Sequence, residues 1–238
     1  INNLSTKMED RYNRQKMLSE IGEEGQALLS QARVLIVGTG GLGSPVSLYL
    51  AGAGVGTIGL IDDDTVSVTN LQRQVLYSEE EVGMSKVLLA KKRLEALNHD
   101  ITVNAYNERL TPENAQRIIS DYDIVVDACD NFKTRYLIDD TCALLGKIYV
   151  YGAIRAFDGQ VAVFHYNGGK GYRDLYPDEE TMLSMPHPPK GVLGVTPGIV
   201  GCAEANEVIK IICGYGEVLA DRLWQIDLKT MVTYTISL

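Results

Sequence analysis

The segment between residues 33 and 64 restricts the fold more than any other. Arg33-Val-Leu-Ile-Val37 is a short run rich in β-branched residues, the make-up of a buried strand. It enters Gly38-Thr-Gly-Gly-Leu-Gly43, in which Gly38, Gly40 and Gly43 satisfy G-x-G-x-x-G. An apolar helix over 45–54 and a second strand over 57–61 follow, and the strand ends in Asp62, Asp63 and Asp64. A glycine turn between a strand and a helix presents helix-start amides to a phosphate and keeps side chains out of its way. Asp62 lies 24 residues after Gly38, where an acid bonds a ribose hydroxyl. This context predicts a nucleotide site rather than a tight turn alone.

The alternation continues downstream. We expect two short polar helices over 9–31, a long connection over 65–83, an amphipathic helix over 84–97 and a strand over 101–105. A short helix over 114–120 precedes a strand over 124–126 that ends in Asp127-Ala-Cys-Asp130. A helix over 131–145 leads to a strand over 148–151. Strands alternating with helices give an α/β fold with a Rossmann-like, mostly parallel, doubly wound sheet. The pattern then changes: 160–165 alternates like an antiparallel strand, and 223–227 with 232–236 read as a terminal hairpin. These antiparallel C-terminal strands extend the sheet. Between them lie a Gly- and Pro-rich loop over 167–197 and an apolar helix over 199–213. The whole of 1–238 is read as one domain: a helical arm (1–31), a nucleotide-binding core (32–155) and an antiparallel part (156–238).

Composition sets limits on partners. The formal charge is −9, which argues against nucleic acid as the main partner, since phosphate backbones need a basic surface. No apolar run approaches the roughly 20 residues of a membrane span, and residues 1–10 have no signal-like apolar region, so a cytoplasmic location is expected. The four cysteines, Cys129, Cys142, Cys202 and Cys213, show no C-x-x-C spacing. Neither a cysteine zinc site nor a disulfide scaffold is expected, and the thiols read as small core residues.

The identity of the nucleotide turns on charge. A nicotinamide cofactor needs little beyond the helix end. Here Arg73 lies in the connection after the second strand, and Lys86 opens the next helix. Two cations suit a triphosphate, and Asp130, at the end of the fourth strand, suits magnesium, which takes one or two carboxylates plus phosphate oxygens. The set predicts ATP and magnesium. Each residue also has an ordinary reading: Arg73 and Lys86 as solvated surface charges, and Asp130 as the N-cap of the following helix.

These motifs resemble the ThiF/MoeB/HesA family, the bacterial relatives of ubiquitin-activating enzymes. The resemblance rests on Arg11-Tyr-Asn-Arg-Gln15, the glycine loop, Asp62-Asp-Asp64, Asn70-Leu-Gln-Arg-Gln74, Gly83-Met-Ser-Lys86, Asp127-Ala-Cys-Asp-Asn131 and Gly152-Ala-Ile-Arg155. It implies adenylation of the C-terminal glycine carboxylate of a ubiquitin-like sulfur carrier, ThiS- or MoaD-like, in thiamine or molybdopterin biosynthesis, with release of pyrophosphate. It implies that Gly41 touches ATP through its backbone and that Asp62 holds the ribose. Asn70, Arg73 and Lys86 would grip the phosphates, with Asp64 and Thr69 beside them. Asp130 would hold magnesium, with Asn131 in the same pocket. Arg14 would reach the ATP of the second subunit of a homodimer; its ordinary reading is an exposed helix arginine. The Gly and Pro content of 167–197 suits a flexible cover that guides the carrier's tail; its ordinary reading is a plain surface excursion.

The chain also departs from that resemblance. Many relatives carry two C-x-x-C pairs that bind zinc; here Gly171 and Asp174 stand where the first pair would be, and no Cys lies between Asp227 and Leu238. No zinc is expected. The stretch 182–190 holds His187 but no Cys, so a covalent carrier link there is in doubt and any sulfur donor would act from elsewhere. Other readings stay open: a tRNA-modifying dehydratase of the same superfamily, a nicotinamide-dependent oxidoreductase, and a nucleotide-binding adaptor without catalysis.

Overall fold

The computed structural model describes residues 10–185 and 191–238; His187 lies outside them. An eight-stranded sheet runs in the order β3-β2-β1-β4-β5-β6-β7-β8. Strands β1 (Arg33–Val37), β2 (Thr57–Ile61), β3 (Thr102–Tyr106), β4 (Ile124–Asp127) and β5 (Ile148–Arg155) are parallel. Strands β6 (Asp158–Phe164), β7 (Arg222–Asp227) and β8 (Val232–Ser237) continue the sheet antiparallel. The mixed sheet expected from the sequence is therefore present.

Both faces are covered. Alternation along β1 sends Val34 and Ile36 toward α3 (Gly43–Ala53), α4 (Lys86–Leu97) and α9 (Val195–Cys213), where they pack with Leu50, Val87 and Val208. Leu35 and Val37 face α5 (Pro112–Ile119) and α6 (Phe132–Leu145), with Ile119 and Ile138. Leu35 and Ile36 are both fully buried, each worth about 1.5–3 kcal/mol of burial. The strand is apolar throughout because both its faces are core. The N-terminal arm forms α1 (Asn13–Lys16) and α2 (Gly22–Gln31), as expected.

Several boundaries differ from the sequence reading. The segment 167–197 is not one loop: it carries α7 (Tyr172–Leu175) and α8 (Glu179–Ser184). Helix α9 starts at Val195, with Pro197 inside its first turn, where a missing N–H costs nothing. Strand β5 runs to Arg155 rather than ending at Tyr151. Of the cysteines, Cys142 is buried, Cys129 and Cys213 are half-buried, and Cys202 is exposed on α9, so Cys202 is not a core residue. Among the described residues, no helix is long and apolar enough to cross a membrane.

Candidate functional site

The chain leaves β1 and β4, neighbours in the sheet, in opposite directions, to α3 on one face and α6 on the other. That switch point is where open α/β sheets bind ligands. A cavity of about 1100 Å³ opens there. Gly38, Gly40, Gly41, Asp62, Asp64, Arg73, Lys86, Asp130 and Asn131 all line it, so residues spread over 38–131 converge on one crevice.

The loop's glycines are required by space. Gly38 has φ +97°, and a Cβ there would lie 2.6 Å from the carbonyl oxygen of Ala128, across the switch point. A side chain at Gly43, buried at the start of α3, would collide with the Gly38 carbonyl. Gly43 shapes the loop without lining the cavity. Gly41 lies between Pro197 and the stem of Arg73.

Asp62 ties β2 to this loop. One carboxylate oxygen accepts from the Thr39 amide (2.7 Å) and hydroxyl (2.8 Å), and the other accepts from the Asp64 amide (2.8 Å). An ionised carboxylate has about four acceptor sites, so a ribose hydroxyl can still donate to it. Lys86 is buried, and its Nζ lies 3.0 Å from an Asp64 carboxylate oxygen. It is a paired cation, not the solvated charge of the ordinary reading. Arg73 has no acidic partner among the described residues; its Nη1 donates to the Thr69 carbonyl at 3.1 Å.

Asn131, not Asp130, caps α6: its side chain accepts from the Thr134 amide at 2.9 Å. The N-cap reading of Asp130 is therefore replaced, and Asp130 stands exposed at the cavity. Thr69 and Asn70 do not line the cavity. Asn70 closes a 3-10 turn by accepting from the Ser67 amide (3.2 Å), so both residues here support Arg73 from behind. Arg14 is exposed on α1 and also lies outside the cavity lining.

A family model described as the ThiF family matches residues 12–238. The chain belongs to the ThiF family. A sulfur carrier protein adenylyltransferase of Thermus thermophilus is 51% identical over 224 residues, covering 92% of this chain and 83% of that protein. A probable molybdopterin-synthase adenylyltransferase of Porphyra purpurea is 45% identical over 223 residues, covering 93% of this chain but only 58% of the relative's length. The crystal structure of E. coli MccB with MccA-N7isoASN superposes with a TM-score of 0.84 at 25% identity, covering 96% of this chain and 72% of that one.

This ThiF-family site holds residues that the motifs alone did not point out. Arg135, whose side chain is 10% exposed, lies 3.2 Å from Asp127, which is fully buried and also accepts from the Tyr149 hydroxyl (2.9 Å) and the Cys129 amide (2.9 Å). Arg135 Nη2 adds a bond to the Cys129 carbonyl (3.2 Å). Burial alone would lower the Arg135 pKa, but Asp127 holds it above its ordinary value. The network fixes the turn that presents Asp130. A signal existed: Arg135 is four residues after Asn131 and so shares its helix face. Burial, reinforced by Asp127, pushes the Cys129 thiol above its ordinary range, which disfavours the thiolate. Arg109 pairs with Asp63 at 3.1 Å. Lys133 and Arg155, like Arg73, line the cavity with no acidic partner among the described residues.

The far end of the cavity is formed by β6, β7, β8 and the segment that carries α7 and α8, called the crossover from here on, with Gln160, Gln225, Tyr234, Tyr176 and Met182. The crossover is fastened by carboxylates. Asp139 accepts from the Tyr172 amide (2.7 Å) and the Arg173 amide (3.1 Å) and meets His165 Nε2 at 2.7 Å. Asp174 accepts from the Gly171 amide at 2.7 Å. A Cβ at Gly171 would lie 2.6 Å from the His165 ring. These residues do not fit thiolate ligation of zinc. The cavity does fit a nucleotide with magnesium: open helix-start backbone, unpaired cations and an exposed acid.

Proposed function

We propose that this chain is an ATP-dependent adenylyltransferase that activates the C-terminal glycine carboxylate of a ubiquitin-like sulfur carrier. The observation that carries the reading is the convergence of the glycine loop, Asp62, Arg73, Lys86 and Asp130 on one cavity at the β1/β4 switch point. The curated relatives support it, since they are named as adenylyltransferases of a sulfur carrier and of molybdopterin synthase.

In the reaction, a carrier carboxylate oxygen attacks the α-phosphorus of ATP. The new bond is carboxyl oxygen to phosphorus, the bond to the β-phosphate oxygen breaks, and pyrophosphate leaves with those electrons. The nucleophile is already ionised near neutral pH, so no general base is needed. The work is positioning and charge neutralisation. Gly40 and Gly41 let the phosphates approach the start of α3, and Gly38 turns the chain into that loop. Asp62 orients the ribose, and Lys86 and Arg73 neutralise the phosphates. Asp130 would hold magnesium, which takes phosphate oxygens alongside carboxylate and supplies further charge neutralisation. Asn70 and Thr69 position Arg73. Arg14, exposed beside Met17 and Leu18, which are also exposed, would act from the second copy of a homodimer. The crossover and the C-terminal hairpin would receive the carrier's tail. Exposed Val232, Tyr234 and Ile236 on the edge strand β8 offer the carrier an apolar face next to that entrance. A thiamine or a molybdopterin carrier suits this arrangement equally, and no zinc is part of the proposal.

The test is incubation with candidate carriers, ATP and magnesium, followed by mass spectrometry. A carrier heavier by one adenylyl group, with ATP–pyrophosphate exchange, is the expected result. ATP binding without exchange would instead favour a non-catalytic adaptor.

A further inference from the structure

The cavity lining follows the strand order. The glycine loop lies after β1, Asp130 and Asn131 lie after β4, and Gln160, Gln225 and Tyr234 lie on β6, β7 and β8. Phosphates at the start of α3 and a carrier tail at the C-terminal strands would therefore enter from opposite ends and meet at β4 and β5. A carboxylate that attacks the α-phosphorus must come to rest at that meeting point. Arg135, in the first turn of α6, lines the cavity there. Its guanidinium carbon lies 5.4 Å from the ring centre of Tyr151 on β5, which lines the cavity too, and the Tyr151 hydroxyl accepts from Gln160 Nε2 at 2.6 Å.

Arginine has five N–H donors. Nε of Arg135 donates to Asp127 and Nη2 to the Cys129 carbonyl, each at 3.2 Å. Nη1 has no acceptor among the described residues. Unlike Arg93 Nε, which is sealed in without a partner, Nη1 keeps contact with solvent, and Arg135 meets solvent at the cavity. The two hydrogen bonds and the faces of Tyr151 and Phe132, the latter at 5.8 Å, fix the plane of the guanidinium. Nη1 is thus aimed before any ligand arrives. A guanidinium N–H bonds a carboxylate more strongly than it bonds a neutral acceptor. With Asp127 already against it, the group offers direction more than net charge, which suits one carboxylate better than a triphosphate.

We propose that Arg135 is a further catalytic residue, its Nη1 donating to the C-terminal carboxylate of the carrier and holding that group in line with the α-phosphorus. The proposal rests on the adenylyltransferase reading and names the contact that places the nucleophile. It divides the work of the cavity: Arg73 and Lys86 meet ATP, and Arg135 meets the carrier.

The test uses the ThiS- or MoaD-like carrier that the wild-type protein adenylates, prepared with its carboxylate terminus and with a C-terminal carboxamide. Each form is titrated calorimetrically in the presence of magnesium and an ATP analogue with a methylene group between the α- and β-phosphates, which cannot release pyrophosphate. We expect wild type to bind the carboxylate form about tenfold more tightly than the carboxamide. Arg135→Met combined with Asp127→Asn leaves no unpaired buried charge. It should bind the two forms equally, keep its magnesium-ATP affinity within about twofold, and lose about a hundredfold in kcat for adenylation. A merely structural role would instead weaken both carrier forms and ATP together. If the double variant does not fold, Arg135→Lys takes its place: it keeps a cation beside Asp127 but has a single nitrogen to share, so it should also lose the preference. A preference for the carboxylate that persists in the variant, no preference in wild type, or a loss of ATP affinity as large as the loss for the carrier would overturn the role of Arg135. A wild-type protein that binds no ATP, or adenylates no carrier, would overturn the adenylyltransferase reading itself and this proposal with it.

Discussion

Two carboxyl groups are fully buried on opposite faces of the sheet beside the cavity, and they are treated oppositely. On the α6 face Asp127 is bonded by Arg135, Tyr149 and the Cys129 amide. On the α9 face Glu204 sits over Gly152, whose missing side chain makes room for it, and neither of its oxygens has a partner among the described residues. In the sheet Asp127 is paired with Tyr151, the residue before Gly152. Burial, with Asp127 adding repulsion, raises the Glu204 pKa well above the ordinary carboxylate range. Asp127 thus anchors the site through its three partners, while burial without a partner favours the protonated form of Glu204. The difference lies in the partners, since both groups are equally buried.

The largest expected effect is on the paired side. Arg135→Leu leaves Asp127 uncompensated and should cost about 3–5 kcal/mol. For a chain of this size that is about ten degrees of melting temperature, read by thermal unfolding. Arg135→Met combined with Asp127→Asn should recover most of the loss. If the single variant melts like wild type, the ion pair does not anchor the turn.

Next come Arg73 and Lys86, which the proposed mechanism assigns to the ATP phosphates; Arg135 lines the same cavity but is paired with the fully buried Asp127. Arg73→Ala and Lys86→Ala should each lower ATP–pyrophosphate exchange about a hundredfold, near 3 kcal/mol of barrier. Arg73→Ala should hardly change the melting temperature, since Arg73 has no acidic partner among the described residues. Near-normal exchange in both variants would refute their assignment to the phosphates.

A smaller effect is expected at the crossover. Asp139→Asn keeps the size of the side chain but weakens the bonds from Tyr172, Arg173 and His165, at about 1–3 kcal/mol. The loss should be local: limited proteolysis should cut 167–197 faster in the variant, while exchange at the phosphate end falls little. Equal cutting in both proteins would show that Asp139 does not hold the crossover.

These contrasts also explain what could be read from the sequence. Strands β1 to β5 follow from local apolar runs, and the glycine loop, Asp62, Arg73, Lys86 and Asp130 follow from short motifs beside them. The crossover was hidden because α7 and α8 have four and six residues, too short for helical periodicity, and because Asp139 fastens α7 from 33 residues away. Strand β5 extends past its expected end at Tyr151 because Gly152 has its reason, room for the Glu204 carboxyl, on a helix distant in sequence. The cap of α6 falls one residue later than expected, on Asn131 instead of Asp130, because the Asn131 side chain is the one that meets the Thr134 amide. The motif around Asn70 was legible, but its placement behind Arg73 instead of in the cavity was not, because a capping side chain and a ligand-binding one look alike in a sequence.

Glu204→Gln gives the mildest prediction, visible as a slope. A group whose pKa is raised on folding stays protonated in the native state while the unfolded chain ionises above about pH 4.3. Its contribution to stability is therefore complete below that pH and is lost as pH rises toward the folded-state pKa. Wild-type stability should therefore slope downward as pH rises above the unfolded-state carboxylate range, through this group. Glutamine has the same size and no proton to lose, so the variant should follow a flatter curve: near wild type at pH 5 and more stable at pH 8. Exchange activity at pH 7 should be unchanged, since Glu204 does not line the cavity. Parallel stability curves for the two proteins would mean that Glu204 is ionised in the fold, and the contrast with Asp127 would fail.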